Sequence, residues 1–214
     1  MEVIAAEDLP RAAAALQAGG VVVVPTARWY MMCADASNAG ACSRLFVSKA
    51  RAATKPLAYV LPRARLAEDE FVLSASARRL AAAFWPGNLA LVLPWRDTSR
   101  GQRLSSVGTP HALVTSDPGV LGELAAVAAV PLAATTVNVS TVDGSSPGPA
   151  ITTGEVQRFT ERTGLTIDFC VEGGITPVNN HLTIVDCTTD RPVLVRTGVV
   201  HERAVAAALA AIPQ

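Results

Sequence analysis

The sequence predicts a mixed α/β fold, a twisted sheet of parallel and antiparallel strands flanked by helices. Three observations carry that expectation. The run Val21-Val22-Val23-Val24 before Pro25 is continuously β-branched, the pattern of a strand buried on both faces. Strand-like segments outnumber the helical ones between them, which excludes a strict strand–helix–strand repeat. At 214 residues, 50% of them hydrophobic, the chain is long enough for one substantial core, and residues 1–214 are read as a single domain.

The elements run in order. Asp8 to Ala18 reads as a helix, with Asp8 near its start and Gly19-Gly20 as its stop. The valine strand runs into a loop, Thr26-Ala27-Arg28-Trp29-Tyr30, and a helix from about Asn38 to Ser48 delivers Lys49 and Arg51 at its end. Leu57 to Leu61 is a strand, and Ser74 to Phe84 is a helix stopped by Trp85-Pro86-Gly87. After a strand from Leu89 to Leu93, the polar stretch from Arg96 to Ser106 reads as a mobile loop. Further strands are expected at Ala112–Thr115, Leu132–Thr136, Ile167–Val171, Leu182–Asp186 and Val193–Arg196, with helices at 119–129, 153–163 and 202–212. The stretch G-S-S-P-G-P at 144–149 reads as a surface loop, because strand patterns continue on both sides of it.

Composition narrows the function classes. Eighteen basic residues balance eighteen acidic ones, so no global positive field draws the protein to nucleic acid or anionic membrane, and any RNA contact would need a local patch. Cys33, Cys42, Cys170 and Cys187 show no C-x-x-C pair or zinc spacing, which suits buried or free thiols in a reducing compartment. The first twenty residues do not read as a signal peptide, and no apolar stretch is long enough to span a bilayer. A soluble, cytoplasmic protein with no membrane partner is expected.

Several standard sites are missing: there is no G-x-x-x-x-G-K-[ST], no G-x-G-x-x-G after the first strand, no H-E-x-x-H and no G-x-S-x-G. His111, His181 and His201 are scattered without metal spacing, so no metal site is expected, and nothing near Cys33 in the sequence would activate it as a nucleophile. The cations are more informative. Lys49 and Arg51 at a helix end would be satisfied by the helix dipole alone, but Lys55-Pro56-Leu57 leading into a strand tips the balance toward an anion site. Thr135, Thr136, Asn138 and Ser140 fall at a strand's C-terminal end, where open α/β sheets place ligands, although ordinary Asx or Ser/Thr turns would also explain them. Arg196 closes the strand Val193-Leu194-Val195 and, taken alone, is a surface arginine.

In order, these pieces resemble the YrdC-like family. Pro25, Thr26 and Tyr30 match its P-T-D-T-V-Y-G-L loop; Lys49, Arg51, Lys55, Pro56 and Leu57 match its K-x-R and K-P-L; Phe84-Trp85-Pro86-Gly87 matches its F-W-P-G. Thr136-Val137-Asn138-Val139-Ser140-Thr141 stands for S-A-N-x-S-G, and Gly173-Gly174, Leu182 to Asp186 and Val195-Arg196-Thr197-Gly198 stand for the late G-G, S-T-V-V-D and L-R-x-G. The resemblance implies a sheet with a concave ligand-binding face. It also implies a nucleotidyltransferase that makes a carbamoyl-adenylate from ATP, bicarbonate and an amino acid, with Mg2+ assisting, in tRNA modification. Lys49, Arg51 and Arg196 would supply catalytic charge, joined around the nucleotide by Lys55, Thr136, Asn138 and Ser140.

The departures gather where the amino acid is expected. The family's acidic residue and second threonine after P-T are Ala27 and Arg28, its Y-G-L is Tyr30-Met31-Met32, and the arginine of V-R-V-[SP]-D falls on Val114. Thr26, Arg28, Tyr30, Met31, Val114 and Thr183 are therefore the expected substrate pocket, with Arg28 placed to restore a lost cation. An altered amino acid or acceptor is the leading expectation; a true threonylcarbamoyl-AMP synthase, and an inactive nucleotide- or RNA-binding relative, are the alternatives.

Overall fold

The computed structural model describes residues 1–50, 55–139, 148–178 and 180–210. The first half comprises β1 (Glu2–Ile4), α1 (Leu9–Gln17), β2 (Val22–Pro25), β3 (Tyr30–Asp35), α2 (Ala39–Ser48), β4 (Ala58–Val60), α3 (Ala67–Glu70), α4 (Ala75–Phe84) and β5 (Leu89–Pro94). The second comprises α5 (Thr98–Arg103), β6 (His111–Thr115), α6 (Val120–Val127), β7 (Leu132–Thr136), α7 (Thr153–Thr163), β8 (Phe169–Val171), β9 (Thr183–Asp186), β10 (Val193–Arg196) and α8 (Glu202–Ala210). All ten strands join one mixed sheet in the order β1-β8-β2-β3-β7-β4-β6-β5-β9-β10.

The valine run behaves as its pattern requires. Val21 and Val23 enter the larger apolar cluster, beneath α2, α4, α7 and α8. Val22 and Val24 enter a second cluster on the opposite face, against α1 and α6. Full burial of each valine contributes roughly 1.5–3 kcal/mol relative to exposure, so this strand alone pins two helical layers to the sheet. Helix starts are fixed by side-chain caps: Asn38 accepts from Ala41 N, Ser74 from Ala77 N and Thr152 from Glu155 N.

The second layer does not reach across the whole sheet. Ala58 on β4, Leu113 on β6 and Ala90 on β5 belong to neither apolar cluster, although Ala58 pairs with Leu113 and Ala90 with Thr115. Alternation puts these side chains on the α1/α6 side, in a stretch of sheet beyond the α1/α6 cluster where Ala58 and Ala90 are nonetheless buried.

Three expectations change. Residues 30–35 form a strand, not the end of a loop, because Tyr30 and Met32 fill the larger cluster while Met31 and Cys33 fill the smaller. An N-terminal strand, β1, pairs in parallel with β8 where the sequence pattern announces none. The stretch from Arg96 to Ser106 is not an open loop: Asp97 caps α5, and Arg100 donates to both Glu70 and the Tyr59 hydroxyl, tying α5 to α3 and β4. The expected surface loop lies, for residues 144–147, outside the described residues.

Candidate functional site

Lys49 is the C-cap of α2 and is almost sealed from solvent, at 1% exposure. Its ammonium donates to the Thr136 carbonyl at 2.6 Å, the Asn138 carbonyl at 2.8 Å and Asn138 Oδ1 at 2.5 Å, with Thr136 Oγ1 at 3.5 Å. Thr136 Oγ1 in turn donates to Asn138 Oδ1 at 2.6 Å. Three N–H donors thus face four oxygens, and the exit of β7 is knitted onto the end of α2. The sheet register brings the start of β4, just after the exposed Lys55, to this same end, since Ala58 pairs with Ala134. Arg51 and Ser140 lie outside the described residues. A cleft of about 440 Å3 opens beside Asn138 and is walled in part by Arg158 and Arg162 of α7.

A second group gathers at the far side of the open sheet. The loop before β3 is turned by Thr26, whose Oγ1 donates to the Trp29 carbonyl and accepts from Arg28 N and Trp29 N. The turn presents Arg28, 4% exposed, whose Nη1 donates to Asn88 Oδ1 just ahead of β5. Three strands, β7, β4 and β6, separate β3 from β5 in the sheet, so this bond closes the loop over the open face.

Arg196 hangs from the same corner. Its Nε donates to the Leu182 carbonyl at 3.0 Å, and the next residue, Thr183, donates its N–H to the Asn88 carbonyl at 3.2 Å. Asp117, 8% exposed, accepts from Gly119 N through Oδ1. The His181 and Trp29 rings meet edge to face, 4.6 Å between centroids.

The electrostatics arise from burial and proximity. Burial lowers the Arg28 pKa; Asp117 opposes that shift and Arg196 adds to it. Burial raises the Asp117 pKa against the pull of Gly119 N–H and Arg28. Desolvation, then Arg196 and Arg28, hold His181 below the usual imidazole value. Burial pushes Tyr30 up to about 12, so its phenol stays protonated, accepting from Gly173 N and donating to the Gly174 carbonyl.

The six expected pocket residues therefore separate. Thr26 shapes the turn, Tyr30 braces the Gly173-Gly174 bend, and Thr183 Oγ1 donates to the Val200 carbonyl while accepting from Gly198 N. Met31 packs in the α1/α6 cluster and Val114 in the larger core, so the open face of β6 at this level is Leu113 and not Val114. Only Arg28 presents spare polar capacity. Asp117 closes the segment Leu113-Val114-Thr115-Ser116-Asp117 that stands for V-R-V-[SP]-D, Trp29 lies in the altered loop and His181 is one of the scattered histidines, whereas Asn88 is not singled out in the sequence and its one signal is its place directly after Phe84-Trp85-Pro86-Gly87.

Comparison with known proteins agrees with this architecture. The family model described as telomere recombination, Sua5/YciO/YrdC, matches residues 14–198. The threonylcarbamoyl-AMP synthase of Bacillus subtilis is 26% identical over 206 residues, which cover 96% of this chain and 57% of that protein. A putative threonylcarbamoyl-AMP synthase of Mycobacterium leprae is 28% identical over 209 residues, covering 97% and 90%. The crystal structure of Pyrococcus abyssi Sua5 complexed with L-threonine superposes with a TM-score of 0.83 at 24% identity, over 98% of this chain and 60% of that one. Escherichia coli YciO gives 0.72 at 17% identity, over 92% and 95%. The chain spans a little over half the length of the Bacillus and Pyrococcus proteins. On the match across residues 14–198 and the shared fold, the chain belongs to the Sua5/YciO/YrdC family.

Proposed function

We propose that this protein is a nucleotidyltransferase of the threonylcarbamoyl-AMP synthase type, acting on ATP, bicarbonate and an amino acid other than threonine. The observation that carries the reading is the buried Lys49 bound to Thr136 and Asn138, in a chain that the family model matches from residue 14 to residue 198. With its three protons engaged, Lys49 acts on a phosphate chain through its field and not by a direct bond, and it needs no rearrangement when charge develops there.

In the reaction, the free amine bonds to the carbon of bicarbonate, a C–O bond breaks and water leaves, giving an N-carboxy species whose carboxylate attacks the α-phosphorus of ATP. The bond from that phosphorus to the bridging oxygen of the β-phosphate breaks, and pyrophosphate leaves. No protein nucleophile is required; the chain supplies positioning and positive charge. Lys49, with Arg51 and Lys55, is assigned to the phosphates, and Thr136, Asn138 and Ser140 to the nucleotide. Arg196 hangs beside Arg28, and we assign it to the amino-acid side. Among the described residues no group of three His, Cys, Asp or Glu side chains could hold a metal, so Mg2+ would arrive on the ATP phosphates, whose charge it neutralises.

The departure from threonine rests on Ala27, Arg28 and Met31, which stand where the family motif has other residues. A second reading keeps threonine itself, supported by the names of the relatives and by the neighbour bound to L-threonine. The balanced charge count gives RNA contact no support beyond what a local patch could supply. Incubation with ATP, bicarbonate, Mg2+ and a panel of amino acids, followed by pyrophosphate release and mass spectrometry of the adenylate, tests the reading. Absence of any adenylate across the panel would refute it, and efficient threonine turnover would select the second reading.

A further inference from the structure

We infer that Arg28, Asp117 and Arg196 seat the amino-acid substrate and select one with an acidic side chain, of the aspartate or glutamate class. The inference rests on the adenylate-forming reading above and deepens it.

Arg28 is almost wholly buried, yet only one of its five guanidinium N–H donors is engaged among the described residues, by Asn88 Oδ1. Arg196 is exposed, and among the described residues it engages only Nε. Both guanidiniums are tied to one corner, Arg28 through the side chain of Asn88 and Arg196 through the Leu182-Thr183 backbone that meets the Asn88 carbonyl. The open donors of Arg28 are not sealed from solvent, since the buried side-chain polar atom without a partner among the described residues is Arg79 Nε, so a ligand can reach them. The planar fork of each arginine matches a carboxylate with two parallel bonds.

Asp117 supplies the opposite sign at the same corner, since the carbonyl of the preceding Ser116 accepts at 2.8 Å from the N–H of Gly87, the residue before Asn88. Its Oδ1 is held by Gly119 N, and Oδ2 has no donor among the described residues. The first turn of α6 closes directly on its backbone: a Cβ at Gly122 would sit 2.0 Å from the Asp117 carbonyl oxygen. The carboxylate is therefore fixed in place, ready to accept from an ammonium or amine.

Counting charges then discriminates between substrates. Two guanidiniums and one carboxylate leave one positive charge unmatched by a neutral zwitterion. An acidic amino acid carries two carboxylates and one ammonium, and each group finds one partner. None of the neighbouring threonines can donate to threonine's hydroxyl, because the Thr26, Thr176 and Thr183 protons are committed to the Trp29, Arg28 and Val200 carbonyls.

The test compares aspartate with asparagine, glutamate with glutamine, and all four with threonine, by pyrophosphate release at fixed ATP, bicarbonate and Mg2+. Calorimetric titration of ATP and of each amino acid runs in parallel. We expect at least one acidic amino acid to exceed its amide by tenfold or more in kcat/KM. Arg28→Gln and Arg196→Gln should each shrink that ratio to threefold or less. Arg28→Lys, which keeps the charge and loses the fork, should fall between, and a near-native near-UV spectrum checks folding.

Equal use of acid and amide, or a preference for threonine, overturns the inference and leaves adenylate formation standing. Loss of ATP affinity in Arg28→Gln would place Arg28 with the nucleotide and also overturns it. If no amino acid releases pyrophosphate, the adenylate reading fails separately. The seat is then judged by binding alone: aspartate or glutamate binding that Arg28→Gln abolishes supports it, and no binding overturns it.

Discussion

Lys49 and Arg28 are both buried cations, 1% and 4% exposed, and they are built in opposite ways. Lys49 is surrounded by more oxygens than it has protons to give, so its protons join α2 to the exit of β7 while its charge, facing no carboxylate among these partners, stays in place. Arg28 is brought to a comparable depth and left with most of its donors open. Burial alone does not distinguish a cation that acts on a ligand through its field from one that can bond it directly; the balance of donors and acceptors does.

Substituting the two residues should break this pairing most visibly. Lys49→Met strips a charged donor from two carbonyls and an amide oxygen and should cost about 3 kcal/mol or more in urea unfolding, with at least a tenfold loss of ATP affinity. Arg28→Met removes a desolvated charge that is only partly satisfied, so stability should change by less than about 1 kcal/mol or rise. Equal destabilisation by both would show that Arg28 is also a strut.

A third, satisfied group sharpens the contrast. Tyr59→Phe deletes the hydroxyl that donates to Glu70 and accepts from Arg100, for an expected loss of about 1 kcal/mol. Trypsin should cleave at Arg100 and Arg103 faster in that variant than in the parent, because the anchor of α5 is loosened. Unchanged cleavage would separate α5 from the network.

Asp117 gives a pH-dependent version of the same test. Burial raises its folded-state pKa, so between its unfolded and folded values the native state holds more protons than the unfolded chain. Its contribution to stability is most favourable below the unfolded value and is lost as pH rises through the folded one. Asp117→Asn should therefore be more stable than the parent at pH 7, with the gain vanishing on acidification through that window. Amino-acid affinity of the parent should fall over the same window, as the carboxylate that receives the amine is protonated. The smallest effect is expected at the exposed Arg78–Glu68 pair, 2.8 Å apart, where Arg78→Gln should stay within about 0.5 kcal/mol.

How much of the molecule is legible in the sequence depends on how local each signal is. The β-branched run at 21–24 and the capped helices announce themselves within a few residues, and both lie where the pattern puts them. Tyr30 to Asp35 lacks β-branched residues and becomes a strand only because β2 and β7 pair with it on either side. The Asp97-Thr98-Ser99 cap is a readable helix start, hidden by the polar character of the residues behind it. Arg28 stands out by departing from a motif and Asp117 by closing one, whereas Asn88 acquires meaning only when the loop folds across the sheet. Strand alternation, taken one residue further, points to Leu113 in place of Val114.

The loop that carries Arg28 has a consequence for how the protein acquires and changes its chemistry. Its position is set by Asn88, 60 residues away, and by Thr176, 148 residues away, whose hydroxyl donates to the Arg28 carbonyl. Closing such long spans is entropically slow, so the specificity corner should be among the last parts to assemble, after the valine strand and its helices have docked. A substitution in a late-forming loop leaves the folding rate nearly untouched and is felt mainly in unfolding. The loop is thus a place where a lineage can exchange one substrate for another while the route to the fold stays the same.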